Sequence, residues 1–376
     1  MNNRKKIVFL TGTRADFGKL KSLIKITQEN SNFDVQIFVT GMHLDEKYGA
    51  TVNEIYKSGF KNIHTYQNHV GAEFMDRTLA KTITGFSEYI ANQKPDLIVV
   101  HGDRVEALAG AIVGSLNNIL VAHIEGGEVS GTIDELIRHS VSKLSHLHLV
   151  SNEEAKKRLI QMGELESSIY IIGSPDLDLM NPSNLPTLKI VKDYYEIPFK
   201  EFAIVMFHPV TTDYKNIKKS AKIFVDALLK SKQDYVVIYP NNDLGTEEIL
   251  EEYKRLQNNS RFKIYPSLRF EYFLRLLKET NFIIGNSSAG VREAPYYKVP
   301  TIDIGTRQSN RAQAKSITNV DYNLDEILLA IENIKIVEQN IDINEFGKGN
   351  SNELFLNLLK SDLIWKVNCQ KQFQDL

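Results

Sequence analysis

The sequence predicts an α/β fold of two Rossmann-like, doubly wound domains with a cleft between them. Three observations support this prediction. Short apolar runs of strand length alternate with helical patterns throughout the 376 residues, which is typical of mainly parallel sheets. The alternation pauses at residues 174–189, where three prolines indicate a domain linker. The chain is also longer than one ordinary hydrophobic core supports.

Each apolar run is predicted to form a strand. In the first half these runs are residues 7–10, 35–39, 97–100, 119–122, 147–150 and 169–172. In the second half they are residues 202–207, 235–239, 262–264, 282–284 and 301–304. After a glycine-rich turn at residues 346–350, the remaining sequence predicts one or two helices that cross back onto the first domain. The predicted bounds are 1–175 and 176–352 for the two domains and 353–376 for the C-terminal helices.

Composition narrows the possible partners. The 45 basic and 47 acidic residues give a net charge of −2, so no overall field favours nucleic acid or an anionic membrane. The single cysteine, Cys369, excludes an internal disulfide framework. The apolar run at residues 7–10 is too short for a signal peptide, and no stretch has the length of a transmembrane helix. We therefore expect a soluble, cytoplasmic protein.

The segment 123–139 (HIEGGEVSGTIDELIRH) is the most informative stretch for chemistry. Glu125 follows an apolar strand and precedes two glycines, which we expect to let the backbone approach a ligand closely. Parallel α/β sheets bind ligands at this end of their strands. Thr132 and Glu135 form a capping-box pattern, and Asp134 lies in the same helical turn. From the residues alone, these acids could be helix caps, bases or metal ligands.

Other polar groups in the first half also follow predicted strands. Asp103 is a candidate base or orienting group at a helix N-terminus, and His43 ends another strand. The loop at residues 11–20 (TGTRADFGKL) carries Arg14 and Lys19, which with backbone amides could hold a pyrophosphate. This loop is neither a Walker motif nor a GxGxxG dinucleotide site, so NAD is not expected.

The second half contains a stronger candidate for diphosphate binding. Residues 282–293 (FIIGNSSAGVRE) pass from a strand through Ser287, Ser288 and Gly290, and small residues at such a turn expose amides and hydroxyls. Glu293 could accept hydrogen bonds from ribose hydroxyls. At two further strand ends lie His208 and Arg307, and an arginine can bind phosphate through two hydrogen bonds.

A metal site is the rival explanation for this density of histidines and acids. His139, His146 and His148 lack the spacing of an HExxH motif or of a paired-cysteine site. Phosphate-binding arginines would also make a metal largely redundant for a leaving diphosphate. No obligatory metal is therefore expected.

Six motifs together resemble one enzyme family. They are TGTRADFGKL (11–20), HGDRVEALA (101–109), HIEGGEVSGTIDELIRH (123–139), FHPVTTD (207–213), GNSSAGVRE (285–293) and GTRQ (305–308). The chain, from Lys6 to Arg311, resembles the hydrolysing UDP-N-acetylglucosamine 2-epimerases of sialic acid biosynthesis. The resemblance implies a GT-B fold, UDP bound mainly by the second domain, no cofactor, and a homodimer or homotetramer.

The resemblance also implies roles for individual residues. Asp103, Glu125 and Asp134 match the family's catalytic carboxylates, and His208 and His43 match active-site histidines. Positions expected near the diphosphate are Arg14, Arg104, Ser287, Ser288 and Arg307, with Lys19 and Gly290 beside them, and Glu293 matches the ribose ligand. Which carboxylate removes the C2 proton of the sugar, and which returns one, is not decided by the sequence.

The implied reaction consumes UDP-N-acetylglucosamine and water and yields UDP and N-acetylmannosamine through a glycal. One alternative is the same reaction on UDP-N,N′-diacetylbacillosamine, which leads to legionaminic acid. Two remoter alternatives are a GT-B glycosyltransferase, which needs an acceptor, and a non-catalytic nucleotide-sugar binding protein.

Overall fold

The structure is a computed structural model, and it describes residues 4–68, 74–130, 133–308, 316–334 and 346–375. The strands are β1 (Lys5–Thr11), β2 (Phe33–Val39), β3 (Ile63–Thr65), β4 (Leu97–His101), β5 (Leu120–Ile124), β6 (Leu147–Val150), β7 (Ile169–Ile171), β8 (Ala203–Met206), β9 (Tyr235–Ile238), β10 (Phe262–Tyr265), β11 (Ile283–Gly285), β12 (Thr301–Ile304) and β13 (Ile317–Val320).

Helices alternate with these strands. They are α1 (Arg14–Gln28), α2 (Val52–Lys57), α3 (Met75–Gln93), α4 (Val105–Leu116), α5 (Ile133–Leu144), α6 (Glu153–Gln161), α7 (Asp176–Met180), α8 (Leu188–Tyr195), α9 (Ile217–Lys230), α10 (Thr246–Tyr253), α11 (Phe270–Glu279), α12 (Glu293–Tyr296), α13 (Leu324–Glu332) and α14 (Ser351–Lys360). The eleven predicted strands are all present, which confirms the α/β class. The short strands β3 and β13 were not predicted.

The chain forms two compact units. The first comprises Met1–Glu128, Asp134–Asn181 and Ile343–Leu376, and the second comprises Val129–Ile133 and Pro182–Asp342. Within the predicted linker, α7 contacts α1 in the first unit. The compact first unit therefore continues to Asn181, six residues beyond the predicted bound of 175.

The first unit contains a seven-stranded parallel sheet in the order β3-β2-β1-β4-β5-β6-β7. Its central strands are continuous apolar runs, as expected when both faces of a parallel sheet are covered by helices. Strands β2, β1, β4 and β5 are neighbours, so the polar residues that follow them come together at one sheet edge.

The C-terminal segment completes the core of the first unit. Phe355 and Leu359 of α14 are fully buried, and the ring of Phe355 packs edge-to-face on Phe9 with centroids 6.1 Å apart. The carboxylate of Asp178 accepts hydrogen bonds from the amides of Ser351 at 2.8 Å and Asn352 at 2.9 Å, which satisfies two of the free amides at the start of α14.

The second unit contains a six-stranded parallel sheet in the order β10-β9-β8-β11-β12-β13. Strands β8, β11 and β12 lie side by side at its centre. The loops after these three strands carry His208, the glycine-rich turn and Arg307, so the sheet brings these candidate binding residues together at its carboxyl edge.

Candidate active site

Glu125 is the centre of the acidic site in the first unit. It directly follows β5, is 3% exposed, and has a left-handed backbone with φ of 63°. Residues other than glycine rarely adopt this backbone conformation, and such strained residues concentrate at functional sites. The amide of Glu125 donates to the carbonyl of Leu149 at 2.9 Å, so the neighbouring strand β6 fixes the bend.

Three side chains hold the carboxylate of Glu125. Ser174 Oγ donates to Oε1 at 2.5 Å, and His101 Nε2 lies 3.0 Å from Oε2. Lys19 Nζ is 3.4 Å from Oε2 and 2.8 Å from Asp176 Oδ2. These partners come from α1, β4 and the segment after β7, so three separate parts of the chain orient one buried acid.

Asp103 is held by Arg138, which lies on the same helix as Asp134. The guanidinium of Arg138 forms an ion pair with Asp103 and donates to the carbonyl of Glu128 at 3.3 Å. Arg138 is 2% exposed. Asp134 lies four residues earlier on α5, one helical turn away on the same face, and is half-buried. One predicted acid, Asp103, is therefore paired with a buried cation.

The glycines after Glu125 allow close packing within the first unit. Gly127 has φ of 76°, and a Cβ there would lie 2.3 Å from the carbonyl oxygen of Ala155. A Cβ on Gly126 would lie 2.8 Å from Ser142 Oγ and 2.9 Å from His123 Nδ1. The loop therefore lies close to α5 and α6 at these two glycines. The predicted Thr132–Glu135 capping box lies outside the described residues.

The loop after β1 is organised by Asp16. Its carboxylate accepts from Thr11 Oγ1 at 2.5 Å and from the amides of Gly12 and Thr13 at 3.0 Å each, and Thr13 and Asp16 form a capping box for α1. The amides of this loop are therefore occupied. Arg14, predicted to bind phosphate, forms an ion pair with Glu54 at 2.6 Å.

His43 is fully buried beside this loop. Its Nε2 contacts Thr11 Oγ1 at 3.0 Å and its Nδ1 contacts Thr51 Oγ1 at 2.6 Å. Burial, with the nearby charge of Arg14, lowers the pKa of His43 to about 3. The ring is neutral at physiological pH, and its contacts suit orientation of the loop better than proton transfer to a substrate.

Arg104 precedes α4 and lies near the buried carboxylate of Glu106. Its Nε lies 3.8 Å from Glu106 Oε2, and Glu106 is 1% exposed. Among the residues that the structure describes, neither carboxylate oxygen of Glu106 has a hydrogen-bond partner. A Cβ on Gly12 would lie 2.7 Å from Glu106 Cγ, so the glycine makes space for this acid.

In the second unit, Asn286 joins the ends of two strands. Its Oδ1 accepts from the amide of His208 at 2.6 Å, and its Nδ2 donates to the carbonyl of His208 at 2.9 Å. Arg307 and Gln308 donate to the carbonyl of Asn286 at 3.2 and 2.8 Å. Gly285, with φ of 140°, approaches the Met206 carbonyl closely. The loops after β8, β11 and β12 form one connected framework.

The hydrogen bonding of His208 specifies where its proton lies. The backbone amide of Asn241 donates to His208 Nδ1 at 3.0 Å. Because an accepting nitrogen carries no hydrogen, the neutral ring has its proton on Nε2. His208 is half-buried, and an Nε2–H is a donor of the kind that can bind a phosphate oxygen.

The remaining predicted residues of the second unit lie on the same turn. Ser287 caps the 3-10 helix Ser288–Gly290 by accepting from the amide of Ala289. Gly290 packs on Thr301, whose hydroxyl donates to its carbonyl at 2.6 Å. Glu293 begins α12 and is 5% exposed. Burial raises the pKa of Asp303 to about 7, although the charge of the nearby Arg307 opposes this shift.

Sequence reasoning missed several residues of these clusters. His101, Ser174 and Asp176 follow or end predicted strands, so the rule that found Asp103 and Glu125 could have found them. Arg138 lies one helical turn from Asp134, and this four-residue spacing could have predicted that the two side chains share a face of the helix. The role of Asn286 depends on contacts between separate strands, which the sequence pattern does not show.

Metal-binding and membrane-spanning features concern the described ranges 4–68, 74–130, 133–308, 316–334 and 346–375. No group of three or more His, Cys, Asp or Glu side chains in these ranges has the arrangement of a metal site. In the same ranges, no helix combines the length and apolar character needed to cross a membrane.

The two parallel-sheet units define a GT-B protein. The fold matches that of UDP-GlcNAc 2-epimerase from Methanocaldococcus jannaschii, solved with UDP-GlcNAc and UDP, with a TM-score of 0.80 at 24% identity over 94% of this chain and 99% of that chain. The expected GT-B fold is confirmed. The sequence model of the UDP-N-acetylglucosamine 2-epimerase family matches residues 25–360, and the chain belongs to this family.

Two curated relatives cover nearly the whole chain. UDP-N-acetylglucosamine 2-epimerase of Neisseria meningitidis is 48% identical over 375 residues, which are 99% of each chain. UDP-N,N′-diacetylbacillosamine 2-epimerase (hydrolyzing) of Legionella pneumophila is 34% identical, covering 95% of this chain and 96% of that protein. The comparisons thus confirm the UDP-N-acetylglucosamine 2-epimerase family expected from the motifs.

Proposed function

We propose that this protein is a hydrolysing UDP-N-acetylglucosamine 2-epimerase, which converts UDP-GlcNAc and water into UDP and N-acetylmannosamine. The observation that carries the proposal is the buried carboxylate of Glu125, held on a strained backbone by Ser174, His101 and Lys19. Family membership and the hydrolysing activity named for the Legionella relative support it.

The C2 hydrogen of the sugar has no adjacent carbonyl to acidify it. The proposed reaction therefore proceeds in two steps, elimination of UDP and then hydration of the glycal. A carboxylate removes this proton while the C1–O bond to the diphosphate breaks. The C–H electron pair forms a C1–C2 double bond, and the C1–O pair leaves with UDP. Water then adds its oxygen to C1 of the glycal, and a proton returns to C2 from the opposite face.

The three acids of the first unit supply the acid and base groups. A base must be ionised, and Lys19 beside Glu125 and Arg138 beside Asp103 favour the charged form of each carboxylate. Asp134 lies in the first turn of α5. Because inversion at C2 needs groups on both faces of the sugar, at least two of these acids act on it.

The second unit supplies the diphosphate site. His208 Nε2–H, Arg307 and the turn containing Ser287 and Ser288 lie on loops connected by Asn286. Donors aimed at the leaving diphosphate stabilise the negative charge that grows as the C1–O bond breaks. Glu293 is the proposed acceptor for ribose hydroxyls, and no metal ion or NAD is proposed to take part.

The test is to incubate the purified protein with UDP-GlcNAc alone and measure UDP and sugar. We expect one N-acetylmannosamine per UDP, with deuterium at C2 when the reaction runs in heavy water. UDP-ManNAc without UDP release would contradict the hydrolysing assignment, and retention of the original C2 hydrogen would contradict elimination. Turnover without an acceptor also argues against a glycosyltransferase.

The second candidate substrate is UDP-N,N′-diacetylbacillosamine, because the Legionella relative at 34% identity bears that activity in its name. The higher identity of 48% to the Neisseria enzyme favours UDP-GlcNAc. Parallel assays with both nucleotide sugars separate the candidates, and a strong preference for the bacillosamine derivative would reverse their order. Light scattering tests the proposed homodimer or homotetramer.

A further inference from the structure

The segment after α14 is tied to the sheet of the first unit. His146 Nε2 contacts the carbonyl oxygen of Cys369 at 3.0 Å, and His146 Nδ1 accepts from the amide of Val121 at 3.0 Å. The amide contact places the proton of the neutral ring on Nε2, which then donates to Cys369. This hydrogen bond brings Lys371 to the end of α5.

Lys371 caps the C-terminus of α5. Its ammonium donates to the carbonyls of Ser142 at 3.3 Å, Lys143 at 2.9 Å and Ser145 at 2.6 Å. The last carbonyls of a helix have no partners within the helix, and the helix dipole makes this end negative. The Ser142 carbonyl also accepts from the amide of Ser145 at 3.1 Å, and one cation from a distant part of the chain therefore binds three carbonyls at the end of α5.

The same ammonium also contacts a buried acid. Lys371 Nζ is 2.5 Å from Glu164 Oε2, and Glu164 additionally contacts His148 at 2.9 Å and Lys143 at 2.8 Å. Burial alone would raise the pKa of Glu164, but these hydrogen bonds and charges lower it to about 2. Lys371 is thus fixed from two sides, by the helix end and by an ionised carboxylate.

The opposite half of α5 carries the proposed catalytic groups. Asp134 lies in the first turn, and Arg138 holds Asp103. At about 1.5 Å per residue, Asp134 lies on the order of 15 Å along the helix axis from the capped carbonyls. A helix moves largely as a rigid rod over this length, so the cap at one end limits sliding and tilting at the other.

We propose that Lys371 is a positioning residue for the reaction. By capping α5, it holds Asp134 and Arg138 in their working positions. The link to catalysis rests on the proposed function of Asp134, whereas the capping of α5 does not depend on it.

The test compares Lys371→Met with Lys371→Arg and with Lys366→Met, an exposed lysine in the same C-terminal segment. We expect Lys371→Met to lower kcat at least tenfold at 20 °C, with the UDP dissociation constant within twofold of wild type. Lys371→Arg keeps the charge and donors and should recover most of the kcat, and Lys366→Met should match wild type. Hydrogen exchange of the α5 amides should accelerate only in Lys371→Met.

Three outcomes would overturn the proposal. In the first, kcat of Lys371→Met stays within twofold of wild type while the melting temperature falls, which would mean that Lys371 only stabilises the fold. In the second, kcat and UDP affinity fall together, which would indicate general disruption. In the third, exchange of α5 is unchanged. If wild type releases no UDP, the proposed function fails, and the exchange comparison still decides whether Lys371 fixes α5.

Discussion

At the scale of single residues, Glu125 is the side chain on which the proposed chemistry depends most. Glu125→Gln approximately preserves the size of the side chain and its proximity to Ser174 and Lys19. It removes the negative charge. We expect kcat to fall by about 10²- to 10⁴-fold, the range for loss of an acid/base group, with UDP affinity retained. The measurement is UDP release under saturating substrate.

Glu128 provides the matched control for this substitution. It lies three residues away on the same loop and accepts a hydrogen bond from Ser151 Oγ at 2.8 Å, but no catalytic role is proposed for it. Glu128→Gln should therefore lose far less activity than Glu125→Gln. Equal losses in the two variants would show that the loop, and not the carboxylate of Glu125, is what matters.

His208 gives a second prediction at this scale. Because the amide of Asn241 donates to Nδ1, nitrogen-15 NMR of the resting protein should show the neutral tautomer with the proton on Nε2. An imidazolium or an Nδ1–H tautomer at pH 7.5 would contradict the assignment.

The substitutions His208→Gln and His208→Glu test the same donor in turnover. Glutamine can present an N–H near the position of Nε2, whereas glutamate presents only acceptors and a negative charge. A hydrogen bond to a charged group contributes about 1.5–3 kcal/mol, so we expect the glutamine variant to be about 10- to 100-fold more active than the glutamate variant.

At the scale of elements, the turn between β5 and α5 depends on a glycine. Gly127→Ala would force a Cβ to within 2.3 Å of the Ala155 carbonyl at a positive φ. Overpacking of this kind costs about 1–3 kcal/mol, and a left-handed backbone adds about 1–2 kcal/mol. Urea unfolding should show the loss.

Gly59 separates the two causes, since it has nearly the same φ, 77°, and no atom within 4 Å of its added Cβ. Gly59→Ala should show only the backbone cost, so Gly127→Ala should be the more destabilised variant. If the two lose the same stability, the close packing on α6 carries no energetic weight.

The strands were predictable because each central strand of a parallel sheet is a continuous apolar run bounded by polar residues. In β4 (Leu97–His101), for example, the apolar run 97–100 lies between Asp96 and His101. Strands β3 and β13 were missed because they are short edge strands with few apolar residues. Ile63 is the one apolar residue of β3, and in β13 the half-buried Ile317 and Val320 are separated by two exposed polar residues. Helix α7 was missed because its proline-rich surroundings indicated a linker.

The site was predictable to the extent that its residues follow strands in the chain. Asp103 and Glu125 were found in this way. The contacts of Glu125 with Lys19 and Ser174, and of Asp103 with Arg138, join residues 35 to 106 positions apart. Such pairings depend on strand order and helix placement, which no local pattern encodes. The roles of the predicted site residues stay predictions until the variants are measured.

At the scale of the whole molecule, buried neutral histidines make stability depend on pH. Burial lowers the pKa of His43 and of His123 from the ordinary value of 6.5 to about 3. The unfolded chain therefore binds protons below pH 6.5 that the folded chain does not bind. Their contribution to stability is complete above pH 6.5 and is lost as the pH falls toward 3.

The expected loss is about 2 kcal/mol per histidine between pH 7 and pH 5. Urea unfolding at several pH values measures it. His123→Gln should reduce the slope of unfolding free energy against pH by close to one proton, because it removes a ring that stays neutral in the folded chain. A wild-type free energy that does not change between pH 7 and pH 5 would contradict this account.

The first unit is discontinuous in sequence. Its C-terminal part, Ile343–Leu376, is separated from its N-terminal part by a segment of about 160 residues that belongs to the second unit. During synthesis, the groove that receives Phe355 and Leu359 beside Phe9 is formed long before these residues leave the ribosome. The nascent first unit must therefore keep an apolar face uncovered while the second unit is translated and folds. Chaperone demand should be greatest during that interval, and it should end when α14 emerges.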